Sequence, residues 1–148
     1  MIHIPPHIIV EILAYAAMLK LAMAKEIGLS PFQFLTLSLV GSTKQTSIKE
    51  LKQRLSIPGS SLTFTIDSLE KKKLIRRQRS KEDRRQWFIS LSPQGQDLYS
   101  EIVRKEGEAI LPTLRKLSED ERAVFTSLAQ DIINPGKANN RINEIANI

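Results

Sequence analysis

Residues 47–92 constrain the fold more than any other stretch, because they combine two short helix patterns across a tight turn with a charged hairpin. Ser47 and Glu50 have the spacing of a capping box, in which two orphan backbone N–H groups are satisfied reciprocally. A break follows at residues 56–59, and a second helix is predicted to run to about Lys72. Its apolar residues at helical spacing are Leu62, Ile66 and Leu69. The pattern predicts a helix-turn-helix.

The side of the second helix that lies opposite these apolar residues carries mostly small or hydroxylated side chains. Small polar side chains let a helix enter the major groove of DNA, where hydroxyls reach base edges and phosphates. A solvated helix surface explains the same pattern without any ligand. The candidate DNA-binding residues of this helix are Ser60, Ser61, Thr63, Phe64, Ser68 and Lys71.

Two side chains on this side of the helix, Asp67 and Phe64, are unexpected on a surface that faces DNA, and each requires a specific reason for being there. Asp67 would be repelled by phosphates, so it is predicted either to pair with Lys71, four residues on, or to accept a hydrogen bond from a cytosine amino group. Phe64 is costly to expose to water, and a thymine methyl group is the apolar contact that the major groove offers.

The segment after the second helix predicts a two-stranded hairpin with a charged tip. Residues 74–78 and 86–91 have strand patterns, and the second alternates so that one side can be buried. Between Arg76 and Arg85 there are six cations and two acids, a density that repels itself unless an anion neutralises it. A hairpin beside a helix-turn-helix is a wing, and its Arg residues suit an adjacent minor groove. The candidate DNA-binding residues of the wing are Arg79, Lys81, Asp83, Arg84 and Arg85.

The positive charge is concentrated in this part of the chain. The net charge is +6 overall, but residues 44–85 hold 13 basic and 5 acidic residues, a net charge of +8. A confined positive field is expected of a nucleic-acid footprint. A membrane-surface segment would also need an amphipathic helix with apolar residues beside the cations, and the wing offers no such helix. The charge distribution therefore favours double-stranded DNA as the partner and no membrane.

At these residues the chain resembles the multiple antibiotic resistance regulator (MarR) family of winged-helix transcription factors. Asp83-Arg84-Arg85 matches that family's Asp-x-Arg wing signature, and residues 91–95 look like its Leu-Thr-x-x-Gly. The resemblance covers roughly residues 29–99. The chain departs from the family at Ser56 and Lys73, where Gly is frequent in the turn and at the end of the recognition helix.

The predicted fold is mostly α with a small β-hairpin wing. One domain is expected over residues 1–148, with the winged-helix part at 30–92 and helical dimerisation parts at 1–28 and 93–148. The resemblance implies a cytoplasmic, prokaryotic homodimer that represses from a pseudo-palindromic operator. It also implies release by a small-molecule effector, aromatic or phenolic. Candidate pocket residues are Tyr15, Phe32 and Phe34, for which a place in the hydrophobic core is the alternative.

Residues 8–24 are the most apolar stretch and raise the question of a signal peptide or membrane span. Glu11 and Lys20 interrupt it, and no positive charge precedes it, so neither reading fits well. Apolar residues cover more of this helix than one core stripe requires. A second copy of the chain is therefore the expected partner of this helix.

The remaining helices are delimited by capping and proline signals. Starts are predicted at Pro5-Pro6, Ser30, Ser92-Pro93 and Ser118, and ends at Gly41 and Pro135-Gly136. Pro112 is predicted to kink or end the helix that begins at Ser92-Pro93. In the helix that begins after Ser30, the residues predicted to be buried are Phe34, Leu35, Leu37 and Val40.

Neither an enzyme nor a metal or cofactor site is predicted. The chain has no Cys and no Gly-rich phosphate loop, and its two His residues are His3 and His7, near one terminus. The stronger rival is a winged helix used as a protein-interaction module with no operator of its own, because fold alone does not settle function.

Overall fold

The computed structural model describes residues 5–133, which form six helices and three short strands. In chain order they are α1 (Pro6–Glu26), α2 (Pro31–Gly41), β1 (Thr46–Ser47), α3 (Ile48–Leu55), α4 (Gly59–Lys71), β2 (Ile75–Arg79), β3 (Trp87–Leu91), α5 (Pro93–Leu114) and α6 (Glu119–Ile133). The predicted class, mostly α with a small β wing, is confirmed. A boundary between two compact units falls between Glu106 and Gly107.

The helix starts follow the capping signals of the sequence. Ser30 with Gln33 and Ser47 with Glu50 both form complete capping boxes. Ser118 accepts from the backbone N–H of Glu121, whose carboxylate accepts in return at 2.7 Å. Pro112 lies inside α5, which ends two residues later. The predicted stop at Pro135-Gly136, the segment 137–148 and His3 lie outside the described residues.

The sheet has one strand more than the predicted hairpin. Its order is β1-β3-β2, with both pairs antiparallel. In β1, Thr46 pairs with Ile89 and Ser47 with Phe88. Two residues are too few to show a strand alternation in sequence, and Ser47 is also the N-cap of α3, so the helix signal masks the strand. The effect is to attach the start of α3 to the base of the wing.

The core of the unit that ends at Glu106 lies between α2, α4 and the sheet. Its fully buried side chains include Phe34, Leu37, Leu51, Leu62, Ile66, Leu69, Ile75, Ile89 and Ile102. The predicted apolar sides of α2 and α4 are therefore confirmed, with the exception of Leu35, which is exposed. Packing on one side leaves the other side of α4 in solvent.

Both positions where the family pattern has Gly adopt the left-handed conformation. Ser56 has φ 51° and Lys73 has φ 59°. At Lys73 this conformation ends α4, and the next N–H, of Leu74, donates to Leu69 O at 3.0 Å. A left-handed geometry costs a side chain with a Cβ roughly 1 kcal/mol that Gly does not incur.

Lys73→Gly should therefore raise the free energy of unfolding, by up to about 1 kcal/mol, since the lost strain exceeds the added entropy of the unfolded chain. The measurement is a urea unfolding curve. Lys72→Gly is the matched control, because φ is −74° at Lys72 and Gly should destabilise there. Equal changes in the two variants would contradict the strain at Lys73.

Helix α1 is apolar over most of its surface and largely exposed. By length and composition alone, residues 7–26 could cross a membrane, with mean hydropathy 1.7. Yet Lys20, within the helix, pairs with Glu106 at 2.9 Å and lies over the Phe34 ring, and Lys105 pairs with Glu26. These polar contacts hold α1 against α2 and α5 along part of its length.

Candidate nucleic-acid interface

The exposed side of α4 carries the residues that the sequence predicted for it. Ser60, Ser61, Thr63 and Lys71 are exposed, and Phe64 is 74% exposed. Leu62, Ile66 and Leu69 on the other side are fully buried. The predicted helical phase is thus confirmed.

Several hydroxyl groups of α4 are already committed to hydrogen bonds. Thr63 Oγ1 donates to Gly59 O at 3.0 Å and Thr65 Oγ1 to Ser61 O at 2.8 Å. Ser68 was predicted to contact DNA, but its side chain is half-buried and its Oγ accepts a hydrogen bond from Gln33 Nε2 at 2.7 Å. Gln33 comes from α2, 35 residues away, so the helical wheel could not reveal this contact. Ser68 therefore fixes α4 to α2.

Asp67 is paired with Arg77 of β2, and the predicted pairing with Lys71 is wrong. Glu70, one turn further along α4, lies 3.0 Å from Arg77 Nε. Within residues 5–133 that Nε makes no hydrogen bond, so the contact with Glu70 is an ion pair only. Two acids of α4 thus neutralise one wing cation. Arg77 connects α4 to the wing and is not free to meet a phosphate.

Arg77→Met should lower the free energy of unfolding by about 1 kcal/mol, since two partly exposed ion pairs contribute a few tenths to 1 kcal/mol each. The loss should shrink as salt is raised, because screening weakens exposed pairs. Arg76→Met is the matched control, as Arg76 is an exposed neighbour on β2. Equal stability of both variants at low salt would contradict the bridging role of Arg77.

The tip of the wing, residues 80–86, is held by its own hydrogen bonds. Ser80 Oγ accepts from the N–H groups of Glu82 and Asp83, and Asp83 Oδ1 accepts from the Arg85 N–H at 2.9 Å. Asp83 Oδ2 also accepts from Gln86 Nε2 at 3.3 Å. Asp83 therefore stabilises the backbone of the tip, which accounts for an acid among cations.

The wing cations differ in how free they are. Arg79 lies 4.9 Å from the centre of the Trp87 ring, a distance typical of a cation–π contact. Lys81, Arg84 and Arg85 are exposed. Across residues 5–133, the Arg85 guanidinium makes no ion pair or hydrogen bond. The hydrogen bond between Arg85 and Asp83 is donated by the backbone N–H of Arg85. These three side chains can reach an anion without breaking a protein contact.

An open groove of about 810 Å³ separates α3 from β3. Lys49, Lys52 and Arg85 line it, together with Trp87 and Phe88. The α3 end of the groove is held by Glu50, whose pKa is lowered by the hydrogen bond from the Ser47 backbone N–H and by the Ser47 hydroxyl. Because the folded pKa is the lower one, this stabilisation is full above the unfolded pKa and is lost as pH falls through the folded value. At neutral pH Glu50 is therefore ionised and accepts its capping hydrogen bonds from Ser47.

The three aromatic residues predicted for an effector pocket lie in different surroundings. Phe34 is 1% exposed and belongs to the hydrophobic core, which was the alternative to a place in the pocket. Tyr15 on α1 and Phe32 on α2 are about half exposed. Phe32 lines an open groove of about 430 Å³ with Ser60, Ser61 and Phe64. Phe34 is therefore removed from the pocket candidates.

No group of three or more His, Asp or Glu side chains able to hold a metal ion occurs in the described part of the chain. The α4–wing surface, meaning the exposed side of α4 together with residues 79–85, carries hydroxyl groups, ammonium and guanidinium groups, the carboxylates of Glu82 and Asp83 and the aromatic ring of Phe64. That composition suits contacts to phosphates and base edges.

Comparison with known proteins gives a consistent result. Residues 29–87 match the model of the MarR family. The HTH-type transcriptional regulator MhqR of Bacillus subtilis (strain 168) is 27% identical over 105 residues, 71% of this chain and 72% of that protein. Streptococcus pneumoniae FabT in complex with DNA superposes with a TM-score of 0.68 at 18% identity, covering 89% of this chain and 94% of FabT. NadR in complex with 4-hydroxyphenylacetate gives 0.72 at 21% identity, covering 90% and 96%. The two solved structures share the fold of this chain.

Proposed function

We propose that the chain, whose residues 29–87 match the MarR family model, is a DNA-binding transcriptional regulator of that family and acts as a homodimeric repressor on a pseudo-palindromic operator. The observation that carries the proposal is the α4–wing surface. On it, an exposed helix side of small polar residues lies next to a hairpin whose Lys81, Arg84 and Arg85 are unengaged. In this arrangement α4 enters the major groove while the wing cations approach the phosphates or the adjacent minor groove.

A second copy of the chain is the partner that best accounts for α1. Among its exposed apolar side chains, Leu13 is 64% and Met18 is 67% exposed, and contiguous apolar patches of this kind are rare on monomers. Helix α6 has no buried residue within its own unit and exposes Val124, Phe125 and Leu128. A two-fold dimer pairs one DNA-binding surface with its symmetry mate, as a palindromic operator requires.

An aromatic or phenolic effector is proposed as the signal that releases the operator. The support is the structural similarity to NadR, which has been crystallised with 4-hydroxyphenylacetate, and the exposed rings of Tyr15 and Phe32. The proposed site of action is the bacterial cytoplasm, where the operator is. No catalytic role is proposed for any residue.

The rival function is a winged helix that binds another protein and has no operator. The confinement of net charge +8 to residues 44–85 favours DNA, because DNA carries one phosphate per about 1.7 Å of helix axis. A protein partner would need a matching acidic surface of similar extent.

Selection from a pool of random DNA duplexes by the purified full chain tests the proposal. The expected product is an inverted repeat with half-site centres about 10 base pairs, or a multiple of one turn, apart. Selected sequences that do not differ from the input pool would contradict an operator and favour the protein-interaction role.

A further inference from the structure

The outward side of α4 offers few side chains that can read bases by hydrogen bonds. Ser68 is bound to Gln33, Asp67 is paired with Arg77, and the Thr63 hydroxyl donates its proton to Gly59 O. In the described chain, Ser60 and Ser61 are the α4 hydroxyls with no such commitment. Both belong to the first turn, so the middle of the helix lacks a free donor that could discriminate bases.

Phe64 occupies that middle position. Phe64 is 74% exposed, although Leu62 and Ile66, each two residues away on the opposite side of α4, are fully buried. An aromatic ring in water is unfavourable in proportion to the apolar area that a partner could cover. Small neighbours, Ser60 and Ser61, leave the ring accessible along the shared groove with Phe32. The ring therefore protrudes beyond the surrounding polar side chains.

We infer that Phe64 determines operator specificity by packing against the 5-methyl group of a thymine in the major groove. This inference rests on the proposed function. Of the four bases, thymine alone presents a methyl group in the major groove, so an apolar side chain there distinguishes it from the other three. Ser60, Ser61 and Lys71 then act mainly on phosphates and set the register of the ring.

The experiment uses the duplex selected by the full-length wild-type chain. Each thymine of a half-site is replaced in turn by deoxyuridine, which lacks only the methyl group. At one position the wild type should bind about fourfold more weakly per half-site, from about 0.8 kcal/mol for one buried carbon. In Phe64→Ala that difference should disappear at that position and persist at any other sensitive thymine.

Two further variants serve as controls for Phe64→Ala. Phe64→Leu should keep part of the discrimination, since it retains an apolar side chain at the same place. Leu35→Ala, which removes an exposed apolar side chain from α2, should discriminate as the wild type does. Binding of Phe64→Ala to random-sequence DNA, and its dependence on salt, should match the wild type, because phosphate contacts supply that term.

The inference is overturned if Phe64→Ala still discriminates thymine from uracil at every position where the wild type does. It is also overturned if Phe64→Ala and Phe64→Leu unfold, which would place the ring in the core, or if either sediments differently, which would place it at a protein interface. A wild-type chain that selects no duplex at all contradicts the proposed function instead.

Discussion

Replacing Leu13 and Met18 of α1 together with glutamate should abolish the soluble dimer. Both side chains are about two-thirds exposed in the single chain, so the folded protomer can accommodate carboxylates there. In a dimer they would lie in an apolar interface, where an unpaired charge costs several kcal/mol. Obligate interfaces commonly exceed about 2,000 Å², and such an interface does not tolerate two buried charges.

Sedimentation velocity measures this outcome directly. A control with the same change in charge is Gln94→Glu with Gln96→Glu, at two exposed positions in the first turn of α5. The control should sediment as the wild type does, while the α1 variant should sediment as a monomer or aggregate. A well-behaved dimer of the α1 variant would show that this helix does not form the interface.

Arg85→Ala should weaken binding to the selected duplex by roughly 1 to 3 kcal/mol, about 5- to 150-fold. The guanidinium is exposed and makes no bond in the part of the chain that the structure describes, so it is available to DNA. For the same reason the free energy of unfolding should hardly change. The tip keeps its shape in this variant, because Asp83 accepts from the backbone N–H at position 85 and not from the side chain.

Lys116→Ala is the control, since Lys116 is an exposed cation outside residues 44–85. Binding is measured for both variants on the same duplex at one salt concentration. Equal losses would mean that only net charge matters, and would contradict a specific contact by the wing.

The local features of the fold could be predicted from sequence because their signals are local. Capping boxes connect residues three apart, so Ser30 with Gln33 and Ser47 with Glu50 are visible in the sequence and recur in the structure. The phase of α4 follows from three apolar residues on one helix. The family resemblance rested on residues of the same region and is confirmed by the match over residues 29–87.

The contacts that the sequence did not reveal join different elements. Arg77 counts among the wing cations in sequence, but the turn after α4 brings it to Asp67 and Glu70, where the i,i+4 rule favoured Lys71. Ser68 belongs to the polar side of a helical wheel, but Gln33 from α2 turns it inward. Strand β1 exists only because β3 lies beside it. Tertiary packing determines each of these contacts, and the periodicity of a single helix or strand does not reveal them.

The central claim is that the α4–wing surface of a dimer reads a particular DNA sequence. The most direct test is a comparison of affinity for the selected duplex and for a scrambled duplex of the same composition, at about 150 mM salt. Specific regulators bind their sites typically 10³-fold or more tightly than nonspecific DNA, and a ratio of that order is predicted here. Equal affinity for the two duplexes, with the same salt dependence, would contradict the claim and leave only electrostatic attraction between a basic surface and any polyanion.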